Sequence, residues 1–295
     1  MQSSDPNSTS PSKATEPPLT GKQLPLIKRF RRFWPLFAIL FTLLGVWMVK
    51  YRGTGWSNLF NPAYWYHRSR GDDLYNTDEA LLLHGNRTLP EVALTFDDGP
   101  HPESRGEILD ILKKAGVHAT FFDVGVNMAL HPELIERTLA EGNEIGNHSQ
   151  THPAERLIGL DRVSRHRQIN DVDITFAAIT GKHLSILRPP GMRYNAAVLA
   201  ETRRLGYIVV GYTTASNDFD PNESADLIAQ RTLDRTENGS IVLLHDYAST
   251  ARALPAILAD LQARGLHCVT ISELMAHLPT KPRTAAVSFQ KAHAE

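Results

Sequence analysis

The sequence predicts an α/β domain built on a parallel sheet. Three observations carry this. From Val92 onward, short runs rich in β-branched and aromatic residues alternate with amphipathic helical segments. Several helical segments close on a C-cap signal, a basic last turn followed by glycine, in "KKAG", "RRLG" and "QARG". Nearly every strand candidate ends in an unusual polar group, and in parallel β/α folds the C-terminal strand ends face the ligand side. A closed barrel and an open doubly wound sheet both fit this pattern.

In chain order, residues 1–27 are rich in Ser, Pro, Thr and Lys without apolar periodicity and read as disordered; with the basic cluster they form a tail over 1–32. Residues 33–49 carry no charge and are bounded by Lys28, Arg29, Arg31 and Arg32 before and Lys50 and Arg52 after. With Trp34, Trp47 and Tyr51 at the interfaces, the stretch 33–51 reads as a transmembrane signal-anchor in the lipid bilayer. The basic excess on its N-terminal side places the N-terminus in the cytoplasm and the main body outside. A cleaved signal peptide competes, but "VWMVKYR" offers no small-x-small site; a buried core helix is the remaining alternative. Residues 52–88 form an aromatic-rich connector that either lies in the interface or packs on the main domain. The domain itself spans 89–280, and 281–295 is a polar tail.

Strands are expected at residues 92–96, 119–124, 144–147, 184–187, 207–213, 240–244 and 267–271. Helices are expected near 107–115, 132–141, 162–180, 196–205, 224–233 and 251–264. Beyond residue 52 the charge balance is acidic, which gives no footprint for nucleic acid. No G-x-G-x-x-G and no Walker-type loop occurs, so no nucleotide cofactor is implied. Cys268 is the one cysteine, which excludes an intrachain disulfide.

The strand-end polar groups form one chemical set. The first strand ends at Asp97 and Asp98, the third runs into "NHSQTHP" with His148 and His152, the fourth ends at Arg188 in "LRPPG", the fifth leads to Asp218 in "SNDFD", and the sixth ends at His245 and Asp246 in "LLHD". One carboxylate and two histidines make a three-ligand metal site with open positions. A second carboxylate beside it suits a general base, and Arg188 can keep that base ionised and oriented. His245 suits a proton donor, with Asp218 as its partner. Each piece alone is weak: "DDG" is commonly a turn and H-x-x-x-H is common without metal. Their joint occurrence at successive strand ends points to metal-assisted hydrolysis of an amide or ester.

"TFDDGP", "NHSQTHP", "RPPG" and "LLHD", in this order, resemble the NodB-homology polysaccharide deacetylases, carbohydrate esterase family 4, over about residues 89–278. The resemblance implies a distorted (β/α)7 barrel and a de-N-acetylase that uses one divalent metal ion, commonly zinc, with cobalt, nickel or manganese as alternatives. It assigns Asp97 as base; Asp98, His148 and His152 as metal ligands; Arg188 as the brace of the base; and His245 as acid. Pro189 and Gly191 fall where the family places its oxyanion loop, and Leu243 where it lines the acetyl pocket. Departures lie at Gly191, where the family often has tyrosine, and in "YTTASNDF", where Tyr212, Ala215 and Phe219 stand for Trp, Asp and Trp. Asp123 stands where the family usually has an apolar residue, and reads either as a substrate contact or as a locally paired carboxylate. The implied substrate is the N-acetylglucosamine of peptidoglycan or a chitin-like glycan. Other readings of the same residues are a deacetylase or deformylase of a lipid-linked sugar, a glycan-binding pseudoenzyme and a non-haem iron oxygenase. The remaining histidines, His101 among them, match no motif and are assigned surface or structural use.

Overall fold

A computed structural model describes residues 81–278 apart from 155 and 221. The expected anchor at 33–51, the tails and most of the connector lie outside the described residues. Among the described residues, no helix is long and apolar enough to cross a membrane.

The elements run β1 (Leu81–Leu82), β2 (Glu91–Asp97), α1 (Arg105–Ala115), β3 (Thr120–Asp123), α2 (Gly125–Leu130), α3 (Pro132–Ala140), β4 (Glu144–Asn147), α4 (Arg156–Gly159), α5 (Arg162–Thr180), β5 (Ile186–Leu187), a 3-10 turn (Pro190–Met192), α6 (Ala196–Arg204), β6 (Ile208–Val210), β7 (Thr214–Ala215), α7 (Ala225–Leu233), β8 (Ser240–His245), α8 (Ala248–Ala263), β9 (His267–Cys268) and α9 (Ile271–Ala276). All seven expected strands and six expected helices are present. β1, β7, α2, α4 and α9 were not anticipated, being too short for a periodicity to register.

The strands pair in parallel in the order β1-β6-β5-β4-β3-β2-β8-β7, with β9 on β2. This corrects the seven-stranded barrel. The sheet has nine strands, and among the described residues no ladder joins β7 to β1, so it is a curled, open half-barrel. The two extra strands are the reason: β1 extends one edge beside β6, and β7 extends the other beside β8. β1 also brings the end of the expected connector into the sheet.

Alternation along each strand separates two faces. On the outer face, Val92, Leu94 and Phe96 pack with Ile108, Leu109 and Leu112 of α1 and with Leu254, Ile257 and Leu261 of α8. On the inner face, Ala93, Phe122, Ile186, Val210 and Ile241 form the interior of the curl. Both faces are covered, so β2 reads as a continuous apolar run rather than an alternating one. The inner-face parity continues through Thr95 to Asp97, from Ile186 to Arg188, and from Ile241 through Leu243 to His245. The sheet thus aims these three polar groups into one mouth. The register adds to this, because Asp97 is paired with His245 across β2 and β8. Gly146 on β4 permits the arrangement: a Cβ there would stand 2.6 Å from the Phe122 ring.

Beneath the mouth, Arg105 is fully buried between two fully buried carboxylates. Its Nε donates to Asp246 Oδ2 at 2.8 Å, and its Nη groups donate to both oxygens of Asp123. Burial opposes the charge on Arg105, but Asp123 and Asp246 outweigh it and raise the guanidinium pKa. Asp123 is therefore a locally paired carboxylate and not a substrate contact. The trio fastens α1 to the C-terminal ends of β3 and β8. Replacing Arg105 with Met leaves two buried carboxylates without a cation, which should cost about 3–5 kcal/mol in urea unfolding. A wild-type midpoint would show that the trio does not hold these elements together.

Candidate active site

Asp97 and Asp98 are neighbours in sequence, yet both carboxylates reach one site. Asp97 is the last residue of β2 and points inward. Asp98 follows with φ of 73°, in the left-handed region that aspartate tolerates better than most residues. The turn breaks the strand alternation that would have sent Asp98 to the opposite face. Asn127 holds it, donating from Nδ2 to the Asp98 carbonyl at 3.0 Å.

Asp98 Oδ1 stands 3.3 Å from His148 Nε2 and 3.4 Å from His152 Nε2. All three donor atoms lie within 4.8 Å of one another. Ligand atoms bonded tetrahedrally to one ion at about 2.0–2.1 Å stand about 3.3 Å apart, so the spacing fits an ion. The chemistry of the donors fits as well. His148 Nδ1 is 2.8 Å from the Arg188 carbonyl, which can only accept. Nδ1 therefore carries the proton and Nε2 offers its lone pair to the site. Burial, the His148 charge and Arg156 lower the His152 pKa against the opposing pull of Asp98, which favours the neutral, ligating form. Burial alone would raise Asp98, but the hydrogen bond and charge of His148, with His245 and His152, hold it well below the usual carboxylate range. The two histidines are presented by a loop, not a helical turn. Asn147 organises it, accepting from Ser149 N and donating to Ile169 O and Tyr207 Oη.

Asp97 is 4% exposed and pairs with Arg188, Nη1 to Oδ1 at 2.7 Å. Arg188 is also fixed by Thr95 Oγ1, Gly211 O and Val210 O, and it lies over the Phe122 ring at 4.3 Å. The second Asp97 oxygen, Oδ2, stands 3.8 Å from His148 Nε2 and so looks toward the candidate metal donors. Across the mouth, His245 Nδ1 donates to Asp218 Oδ1 at 2.7 Å, while the His245 backbone N–H and Thr250 Oγ1 bind Asp218 Oδ2. Burial works to lower the His245 pKa, but the Asp218 hydrogen bond and charge, with Asp97 and Asp98, raise it to about 9.

Residues 84–210 match the polysaccharide deacetylase family. The chain is 36% identical over 188 residues to the peptidoglycan-N-acetylmuramic acid deacetylase PdaC of Bacillus subtilis, covering 62% of this chain and 38% of PdaC. It is 34% identical over 191 residues to the peptidoglycan-N-acetylglucosamine deacetylase of Bacillus cereus, covering 62% of this chain and 87% of the relative. The chain belongs to the polysaccharide deacetylase family. A crystal structure of a peptidoglycan N-acetylglucosamine deacetylase in complex with 4-naphthalen-1-yl-N-oxidanyl-benzamide superposes with a TM-score of 0.64 at 30% identity, covering 66% of this chain and 92% of that one. The chain thus spans well under half the length of PdaC but most of the Bacillus cereus relative.

Within this deacetylase fold the rim departs from the family pattern as the sequence indicated. Gly191 lies in the 3-10 turn after Arg188 with φ of 61°, and a Cβ there would meet Arg156 Nε at 3.2 Å. Pro189 precedes the turn with extended backbone. Leu243 is partly exposed on β8, between the buried Val242 and Leu244. Tyr212 is 38% exposed and Phe219 61%; the Phe219 ring meets His245 edge-on at 6.0 Å between centroids. Ala215 on β7 carries no acid, which leaves Asp218 as the carboxylate bonded to His245. Three contributors escaped the sequence reading. Thr95 and Asn127 carried no signal there. Tyr247 stands two residues after His245, and its Oη donates to Asp98 Oδ2 at 2.9 Å.

The His245–Asp218 pair makes stability depend on pH. His245 is raised from 6.5 to about 9 in the fold, so its contribution is complete below the unfolded value and is lost as pH rises through the folded one. Chelator-treated protein should lose on the order of 3 kcal/mol across that window, and Asp218→Asn should flatten the loss. Urea unfolding at successive pH values checks this; parallel curves for the two proteins would contradict it.

Proposed function

We propose that the protein hydrolyses the N-acetyl group of N-acetylglucosamine-type residues in an extracytoplasmic polysaccharide, with peptidoglycan as the leading substrate, and releases acetate. The observation that carries this is the split of the two adjacent aspartates: Asp98 lies among the metal donors, and Asp97 is held apart by Arg188 with one oxygen facing them. A divalent ion at Asp98, His148 and His152, zinc first among the candidates, would supply Lewis acidity toward the acetamide carbonyl and a lowered water pKa.

The chain's own residues account for the proton movements. Asp97 Oδ2 takes a proton from the attacking water, while Arg188 keeps Oδ1 engaged and the carboxylate oriented. The water oxygen bonds to the acyl carbon, and the C–N bond breaks. His245, protonated and oriented by Asp218, gives its Nε2 proton to the departing amine. The backbone N–H of Gly191 is the donor proposed for the carbonyl oxygen, and Leu243 the wall against the acetyl methyl. Exposed Phe219 and Tyr212 offer apolar faces at the rim for sugar rings.

The peptidoglycan deacetylase activities of the Bacillus relatives support peptidoglycan over other glycans. The uncharged run at 33–49, with its basic flank, supports a single-pass anchor over 33–51 and a catalytic domain outside the cytoplasmic membrane. The full chain, incubated with zinc and N-acetylglucosamine oligomers or peptidoglycan, should release acetate. Asp98→Asn should weaken zinc binding, whereas Asp97→Asn should retain zinc and lose about 10²–10⁴-fold in turnover. Absence of acetate from every glycan with zinc bound would refute the reading.

A further inference from the structure

Tyr247 lies outside the set of donors and proton carriers, yet it touches both halves of the site. Its hydroxyl donates to Asp98 Oδ2 at 2.9 Å. That carboxylate's other oxygen, Oδ1, is the one within 3.3 and 3.4 Å of the two imidazole nitrogens. The two oxygens are thereby given different tasks: one is engaged by a phenol, and the other is left to a cation. The Tyr247 ring is itself fixed. It stacks on His245, with centroids 5.5 Å apart and planes 10° from parallel, and it meets the His101 ring at 5.5 Å. The His101 backbone N–H is tied in turn to Asp246 Oδ2 at 3.0 Å. Asp98 sits at a left-handed turn beyond the end of β2, and the backbone pairing that fixes Asp97 stops one residue before it.

We infer that Tyr247 is a positioning residue for the metal: its hydroxyl holds the Asp98 carboxylate in the rotamer that presents Oδ1 beside His148 and His152, and so sets the affinity for a divalent cation. The inference rests on the reading of Asp98 as a ligand. Outer hydrogen-bond partners of metal ligands commonly contribute 10–100-fold in affinity. Tyr247→Phe removes the hydroxyl and keeps the ring between His245 and His101.

The test is zinc affinity of the full chain by competition with a chromophoric chelator, for wild type, Tyr247→Phe and Asp98→Asn, with circular dichroism to establish that each is folded. The expected result is a dissociation constant raised about tenfold or more in Tyr247→Phe, with acetate release recovering as zinc is raised to saturation. A Tyr247→Phe variant that binds zinc as tightly as wild type overturns the inference, whatever its activity. If Asp98→Asn also binds zinc normally, the ligand assignment falls with it; if Asp98→Asn loses zinc and Tyr247→Phe does not, the inference alone fails. Should Tyr247→Phe not fold, Tyr247→Leu removes the same hydroxyl: zinc affinity weakened about tenfold or more is expected, and wild-type affinity overturns the inference.

Discussion

The site depends on Arg188. Its guanidinium is buried to 1% exposure and binds Asp97, while its backbone carbonyl accepts the Nδ1 proton of His148. One residue therefore orients the proposed base and fixes the tautomer of a proposed metal donor. A buried guanidinium is costly without partners, and here the partners are complete: a carboxylate, a threonine hydroxyl, two carbonyls and an aromatic face. The inner face of the half-barrel supplies all of them, which is why the fold and the site are one construction. Gly146 gives Phe122 its place, and Phe122 in turn supports Arg188.

A second constraint is electrostatic separation. Two adjacent carboxylates, Asp97 and Asp98, would repel if both faced the same empty space. Arg188 neutralises one, and the imidazoles of His148 and His152 face the other. On the far side, Asp218 stabilises a protonated His245. The proposed acid, His245, thus has its proton held by Asp218, and the proposed base, Asp97, is paired with Arg188, although the two residues are neighbours across the sheet.

Much of this was legible in the sequence because parallel β/α folds place functional groups at strand ends, and those ends are marked by the switch from apolar runs to Asp, His or Arg. The seven longer strands and six longer helices carried enough periodicity to be read. β1 and β7, at two residues each, did not, and they are the edge strands that make the expected seven-stranded distorted barrel a nine-stranded sheet, open between them among the described residues. Within the site, Tyr247 and Thr95 were invisible because their roles depend on side-chain direction across the curl, not on spacing. Asp123 could be read two ways until Arg105, eighteen positions earlier on a helix, proved to be its partner.

Anomalous diffraction from zinc-loaded crystals tests the central claim most directly. The account predicts one zinc peak bonded to Asp98 Oδ1, His148 Nε2 and His152 Nε2 at about 2.0–2.2 Å, with Asp97 unbonded and still paired to Arg188. A peak that takes Asp97 as a ligand, or that lies away from these three donors, would contradict it.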